Sequence, residues 1–71
     1  MTISFTDQID TLEKDEQGMG VVFVGRRVRY QVPALPEDIA ETLRHAHRSG
    51  NRVQVTYDTE TLLIADVTVP R

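Results

Sequence analysis

The hydrophobic pattern changes period twice along the chain. Three segments with strand-like alternation are followed by one helical stripe and then by two more alternating segments. This β-β-β-α-β-β order constrains the fold more than any single residue does, because with only 71 residues it leaves room for one small domain, 1–71, and one core. The apolar content suits a sheet. Nine of the residues are Val, a β-branched type that packs well on a pleated, half-buried surface.

In the first segment Ile3 and Phe5 alternate with polar residues, as do Ile9 and Thr11, but Leu12 falls on the opposite parity. A bulge or a bend in a long first strand produces such a phase change. Asp15-Glu16-Gln17-Gly18 reads as an exposed hairpin loop, and Met19 to Val24 as strand two. Gly25-Arg26 fits a two-residue turn with Gly at the first central position, where a positive φ is required. Strand three is expected from Arg27 to Val32, with Val28, Tyr30 and Val32 on one face and Arg27, Arg29 and Gln31 on the other.

A helix is expected over residues 36–48. Pro36 suits its first turn, and Glu37 and Asp38 favour the positive end of its dipole. Ile39, Ala40, Leu43 and Ala46 form its apolar stripe, and Gly50 supplies a left-handed C-cap. Arg52 to Tyr57 alternates again, with Val53, Val55 and Tyr57 inward. Leu62 to Val69 forms the last strand. A three-residue connection over Thr59 to Thr61 would set Tyr57 opposite Leu63, Val55 opposite Ala65 and Val53 opposite Val67. That register turns Leu62 and Ile64 outward.

In chain order this pattern resembles the OB-fold, a five-stranded barrel whose helix lies between strands three and four, and the resemblance spans nearly the whole chain. It implies a mainly β barrel with one helix. A helix packed on an open antiparallel sheet (an α+β arrangement) is the alternative. The resemblance also directs attention to the outer face of strands two and three, where such barrels hold single-stranded nucleic acid.

Charge is unevenly distributed. Residues 1–25 carry five acids against Lys14, residues 26–52 carry six Arg against three acids, and residues 53–71 carry three acids against Arg71, for a net charge of −3. Arg26, Arg27, Arg29 and Arg52 are therefore the candidate nucleic-acid-binding set. Sites of that kind pair cations with exposed aromatics. In the two-residue-turn register, however, Phe23 and Tyr30 face the core, leaving Val22 and Val24 beside the arginines.

No cofactor or catalytic motif emerges. The chain has no Cys, so thiolate metal sites and thiol catalysis are excluded. His45 and His47 are two residues apart on the expected helix, about 200° around it, so they do not meet at one metal ion. The composition shows neither a secretory signal nor a membrane span. The expectation is a cytoplasmic, non-enzymatic binding module without metal or cofactor. Its favoured partner is a protein or a second copy, met through Val22, Val24, Leu62 and Ile64, because clustered exposed apolar side chains mark interfaces. Single-stranded nucleic acid on the arginine face is the alternative.

Overall fold

Fourteen consecutive residues, Thr2–Asp15, form one strand, β1, that serves two half-sheets. Its first half runs antiparallel to β4 (Arg52–Asp58), from Thr2 opposite Asp58 to Gln8 opposite Arg52. Its second half runs antiparallel to β2 (Gly18–Phe23), from Ile9 opposite Phe23 to Asp15 opposite Gly18. The register breaks between Ile9 and Thr11, so Asp10 is the extra residue of a bulge. This bulge accounts for the shifted parity of Leu12.

β3 (Arg29–Pro33) lies outside β2, and β5 (Ile64–Thr68) lies outside β4, giving a single antiparallel sheet in the order β3-β2-β1-β4-β5. The computed structural model describes residues 1–35 and 37–70. The protein is thus mainly β with one helix, in β-β-β-α-β-β order.

The two outer strands approach each other at one place. The Gln31 N–H donates to the Leu62 carbonyl at 2.9 Å, and Gln31 forms an isolated parallel bridge with Leu63. The sheet curls but does not close.

Helix α1 (Glu37–Ser49) packs against β1, β3, β4 and β5 at one end of the curled sheet. The expected start at Pro36 lies outside the described residues. Ala40, Leu43 and Ala46 are buried and Ile39 partly so, as the stripe requires. The C-terminus is a Schellman motif. The Gly50 N–H donates to the His47 carbonyl, the Asn51 N–H donates to the Ala46 carbonyl, and Gly50 takes a φ of 72°. The core joins the helix stripe to Ile9, Met19, Val21, Phe23, Tyr30, Val32, Val53, Val55, Ile64 and Val67.

Both later hairpins depart from the expected turns. Val21 opposite Tyr30 and Val22 opposite Arg29 hold as expected, but the β2–β3 ladder ends there. Val24 turns back to β1 and donates its N–H to the Gln8 carbonyl, opening a loop over residues 24–28. Gly25 is not among the positive-φ glycines; those are Gly18 and Gly50. β3 accordingly starts at Arg29 rather than Arg27.

In the β4–β5 connection Leu62 adopts a left-handed φ of 61° and its N–H donates to the Asp58 carbonyl. A second irregularity, at Ala65, sets Tyr57 opposite Ile64 and Val55 opposite Val67. These two devices reverse the expected facing of Ile64, which is 1% exposed in the core.

Candidate interaction surface

The arginines of the basic middle are not gathered on one face. Arg29 projects from the outer face of β3, where its Nη2 donates to an Asp15 carboxylate oxygen at 2.6 Å. Gln31 also donates to Asp15, at 3.4 Å. The guanidinium crosses the sheet over Gly20, which has no side chain to obstruct it. This contact with Arg29, reinforced by the Gln17 and Gln31 bonds, holds the Asp15 carboxyl below the usual carboxylate range.

Arg52 starts β4 opposite Gln8. In the observed strand order β2 and β1 lie between it and Arg29. Arg27 is exposed in the 24–28 loop. As the sequence implies, Val22 rather than an aromatic ring lies opposite Arg29 on the outer face.

The four candidate interface residues separate as well. Val22 is half-buried on the outer face of β2, and Val24 is 63% exposed at the start of the loop. Leu62 packs partly against the core at the β3–β5 seam. The expectation that Ile64 is an outward contact residue is overturned, because the bulge at Ala65 turns it inward.

What the fold does bring together is an aromatic mouth, at the end of the curled sheet where β1 opposes Tyr57. All four aromatic side chains of the chain meet there. Phe5 lies 5.0 Å from Phe23, 5.5 Å from Tyr30 and 5.7 Å from Tyr57 between ring centroids, and Tyr30 lies 4.8 Å from Tyr57. Most of these pairs are edge-to-face, the geometry that ring quadrupoles favour.

Phe23 and Tyr30 are buried, whereas Phe5 and Tyr57 are half-exposed. Ile3 pairs with Tyr57 across the ladder, and Leu63, whose carbonyl accepts the Asp58 N–H, and Val28, two residues before Tyr30, are exposed on neighbouring segments. Their exposures are 46%, 40% and 39%.

One cation reaches into this mouth. The Arg26 guanidinium sits 4.0 Å from the centroid of the Phe5 ring, and its Nη1 donates to the Tyr30 hydroxyl at 3.4 Å. The loop that carries it is tied to β1, where Asp7 accepts the Gly25 N–H at 2.9 Å and the Gln8 N–H at 2.7 Å. Burial pushes the Tyr30 hydroxyl up from its ordinary pKa, and Arg26 beside it pulls the other way.

The sequence placed Arg26 in a turn among the other arginines and so missed this cluster. Its available signal was inward parity at strand ends, Ile3 and Phe5 at one and Tyr57 at another.

Elsewhere the surface is mixed. A cleft of about 570 Å³ separates the helix from the β1–β2 hairpin, and both signs of charge line it, including Lys14, Arg44, Asp15 and Glu37. His45 and His47 are both exposed, and among the described residues no group of three His, Cys, Asp or Glu converges as a metal site. No helix among the described residues is long and apolar enough to cross a membrane. Compared with known proteins, the chain matches no family model, no curated protein and no solved structure.

Proposed function

We propose that this chain is a small, non-catalytic binding module with OB-like topology, and that it docks a partner polypeptide at its aromatic mouth. The topology reading is supported by the bulged β1 shared between two half-sheets and by the meeting of β3 and β5 at Gln31 and Leu63. A chain without Cys suits a cytoplasmic setting.

The functional reading rests on one observation: Ile3, Val28 and Leu63 remain exposed on segments that carry or pair with the clustered rings of Phe5, Tyr30 and Tyr57. Exposed apolar side chains beside a cluster of rings are the kind of surface that interfaces use. Nucleic-acid binding on the arginine face has weaker support, since Arg29 is held by Asp15 and no aromatic stands beside it.

The test compares three immobilised proteins against nuclease-treated extract of the native source. They are the wild type, an Ile3→Ser/Leu63→Ser variant, and a Val24→Ser control altered outside the mouth. A polypeptide retained by the wild type and the control but lost with the double variant is the expected result. Equal retention by all three would overturn the reading.

A further inference from the structure

We infer that the mouth takes an acidic–apolar segment of a partner polypeptide, seating an apolar side chain beside Ile3 and Tyr57 and pairing a neighbouring Asp or Glu carboxylate with Arg26. This deepens the docking reading above and rests on it. Arg26 is the residue that would receive the carboxylate. Its side chain is half-buried, it has a single long hydrogen bond to Tyr30, and among the described residues the one ion pair is Arg29 with Asp15. A guanidinium carries five N–H donors and loses hydration when it stacks on a ring, so most of its donor capacity is unspent.

The nearby acids are committed elsewhere. Asp7 accepts the Gly25 and Gln8 N–H groups, and Asp58 accepts those of Glu60 and Thr61. Arg27, next in the loop, is exposed. The Asp7 and Asp58 carboxylates keep their charges but have their oxygens taken by backbone N–H groups, so what the mouth holds in excess is guanidinium donors on Arg26. The unspent Arg26 donors select a carboxylate, and exposed Ile3 beside Tyr57 selects an apolar neighbour to it.

Two features favour a protein carboxylate over a nucleic-acid strand. Arg26 covers the Phe5 face on which a base would stack, and Tyr30 is only 2% exposed. The stacked guanidinium is also held in place before any ligand arrives, so little side-chain freedom is lost when a carboxylate takes its fork.

The test follows backbone amide resonances of the full chain during titration with blocked tetrapeptides, Glu-Leu-Phe-Glu and its neutral counterpart Gln-Leu-Phe-Gln. The acidic peptide should shift the amides of Phe5, Arg26, Val28 and Tyr57 and bind about ten-fold more tightly than the neutral one, the scale of one charge-assisted hydrogen bond. Arg26→Gln should erase that difference while leaving the rest of the spectrum native, and Arg26→Lys should restore part of it.

Equal binding of both peptides at the mouth would overturn the carboxylate pairing and leave polypeptide docking intact. Failure of both peptides to shift the mouth would overturn the pairing and the docking alike. Displacement of the acidic peptide by a single-stranded oligonucleotide at equal concentration would overturn the pairing in favour of nucleic acid.

Discussion

The backbone carbonyl of Val32 lies where a side chain on Gly18 would begin. Gly18 opens β2 with a φ of 136°, and an added Cβ there would also meet the Ala34 nitrogen at 2.8 Å. Gly20, two residues further on the same strand, has no positive φ, and its missing side chain makes room only for the mobile end of Arg29. Two glycines on one strand thus answer to different constraints.

Gly18→Ala should therefore cost about 2–4 kcal/mol, combining backbone strain with an overlap against immobile main chain. Gly20→Ala should stay within about 1 kcal/mol of wild type, because the gain from a stiffer unfolded chain offsets the displaced arginine. Its mark should be electrostatic instead: with Arg29 pushed aside, the Asp15 carboxyl titrates higher. Urea unfolding and carboxyl NMR read the two effects. Similar destabilisation by both substitutions would show that Arg29 does not yield.

The helix supplies a second contrast. Leu43 is fully buried at the centre of its stripe, and Leu43→Ala should cost about 2–5 kcal/mol, a large share of the stability of a domain this small. Glu37 is exposed in the first turn, so Glu37→Ala should cost only a few tenths of a kcal/mol, the usual scale of an exposed charge on a helix dipole. Equal denaturant midpoints would mean that the stripe does not face the sheet.

Ile64, expected outward, and Leu63, expected inward opposite Tyr57, both face the other way and mark where sequence reading fails. The stripe Ile39–Leu43–Ala46, the capping Gly50 and the phase break before Leu12 are local patterns, and each has its counterpart in the fold. The facing of β5 is not local. It follows from a non-glycine residue, Leu62, entering the left-handed region and from a bulge at Ala65, neither of which has a side-chain signature. Likewise, the gathering of Phe5, Tyr30 and Tyr57 with Arg26 depends on how far the sheet curls, which alternation along one strand does not encode.

The consequence is testable. Ile64→Glu should abolish folding, since it buries an unpaired charge in the core. Leu63→Ser should leave the thermal unfolding curve nearly unchanged, within about 1 kcal/mol for an exposed position. A folded Ile64→Glu protein would mean that the register expected from sequence is the real one.

Acid should weaken the fold through Asp58. The Glu60 N–H donates to its carboxylate at 2.8 Å and the Thr61 N–H at 3.3 Å, and these bonds hold its pKa below the usual carboxylate range. A carboxyl depressed in the folded state stabilises at pH values above its unfolded pKa, about 3.9 for Asp, and that contribution fades as pH falls through the lower folded value. The loss therefore belongs below about pH 4, and neutral solution should show none of it. Asp58→Asn keeps an acceptor oxygen but carries no charge, so its urea midpoint near pH 7 should fall modestly below wild type and should decline less between pH 5 and pH 2. Asp58→Ala removes the acceptor and should lower the midpoint even at neutral pH, because the turn that places Leu62 and Leu63 loses both of its bonds. An Asp58→Asn protein whose stability falls with acid as steeply as wild type would assign the acid sensitivity to other carboxylates.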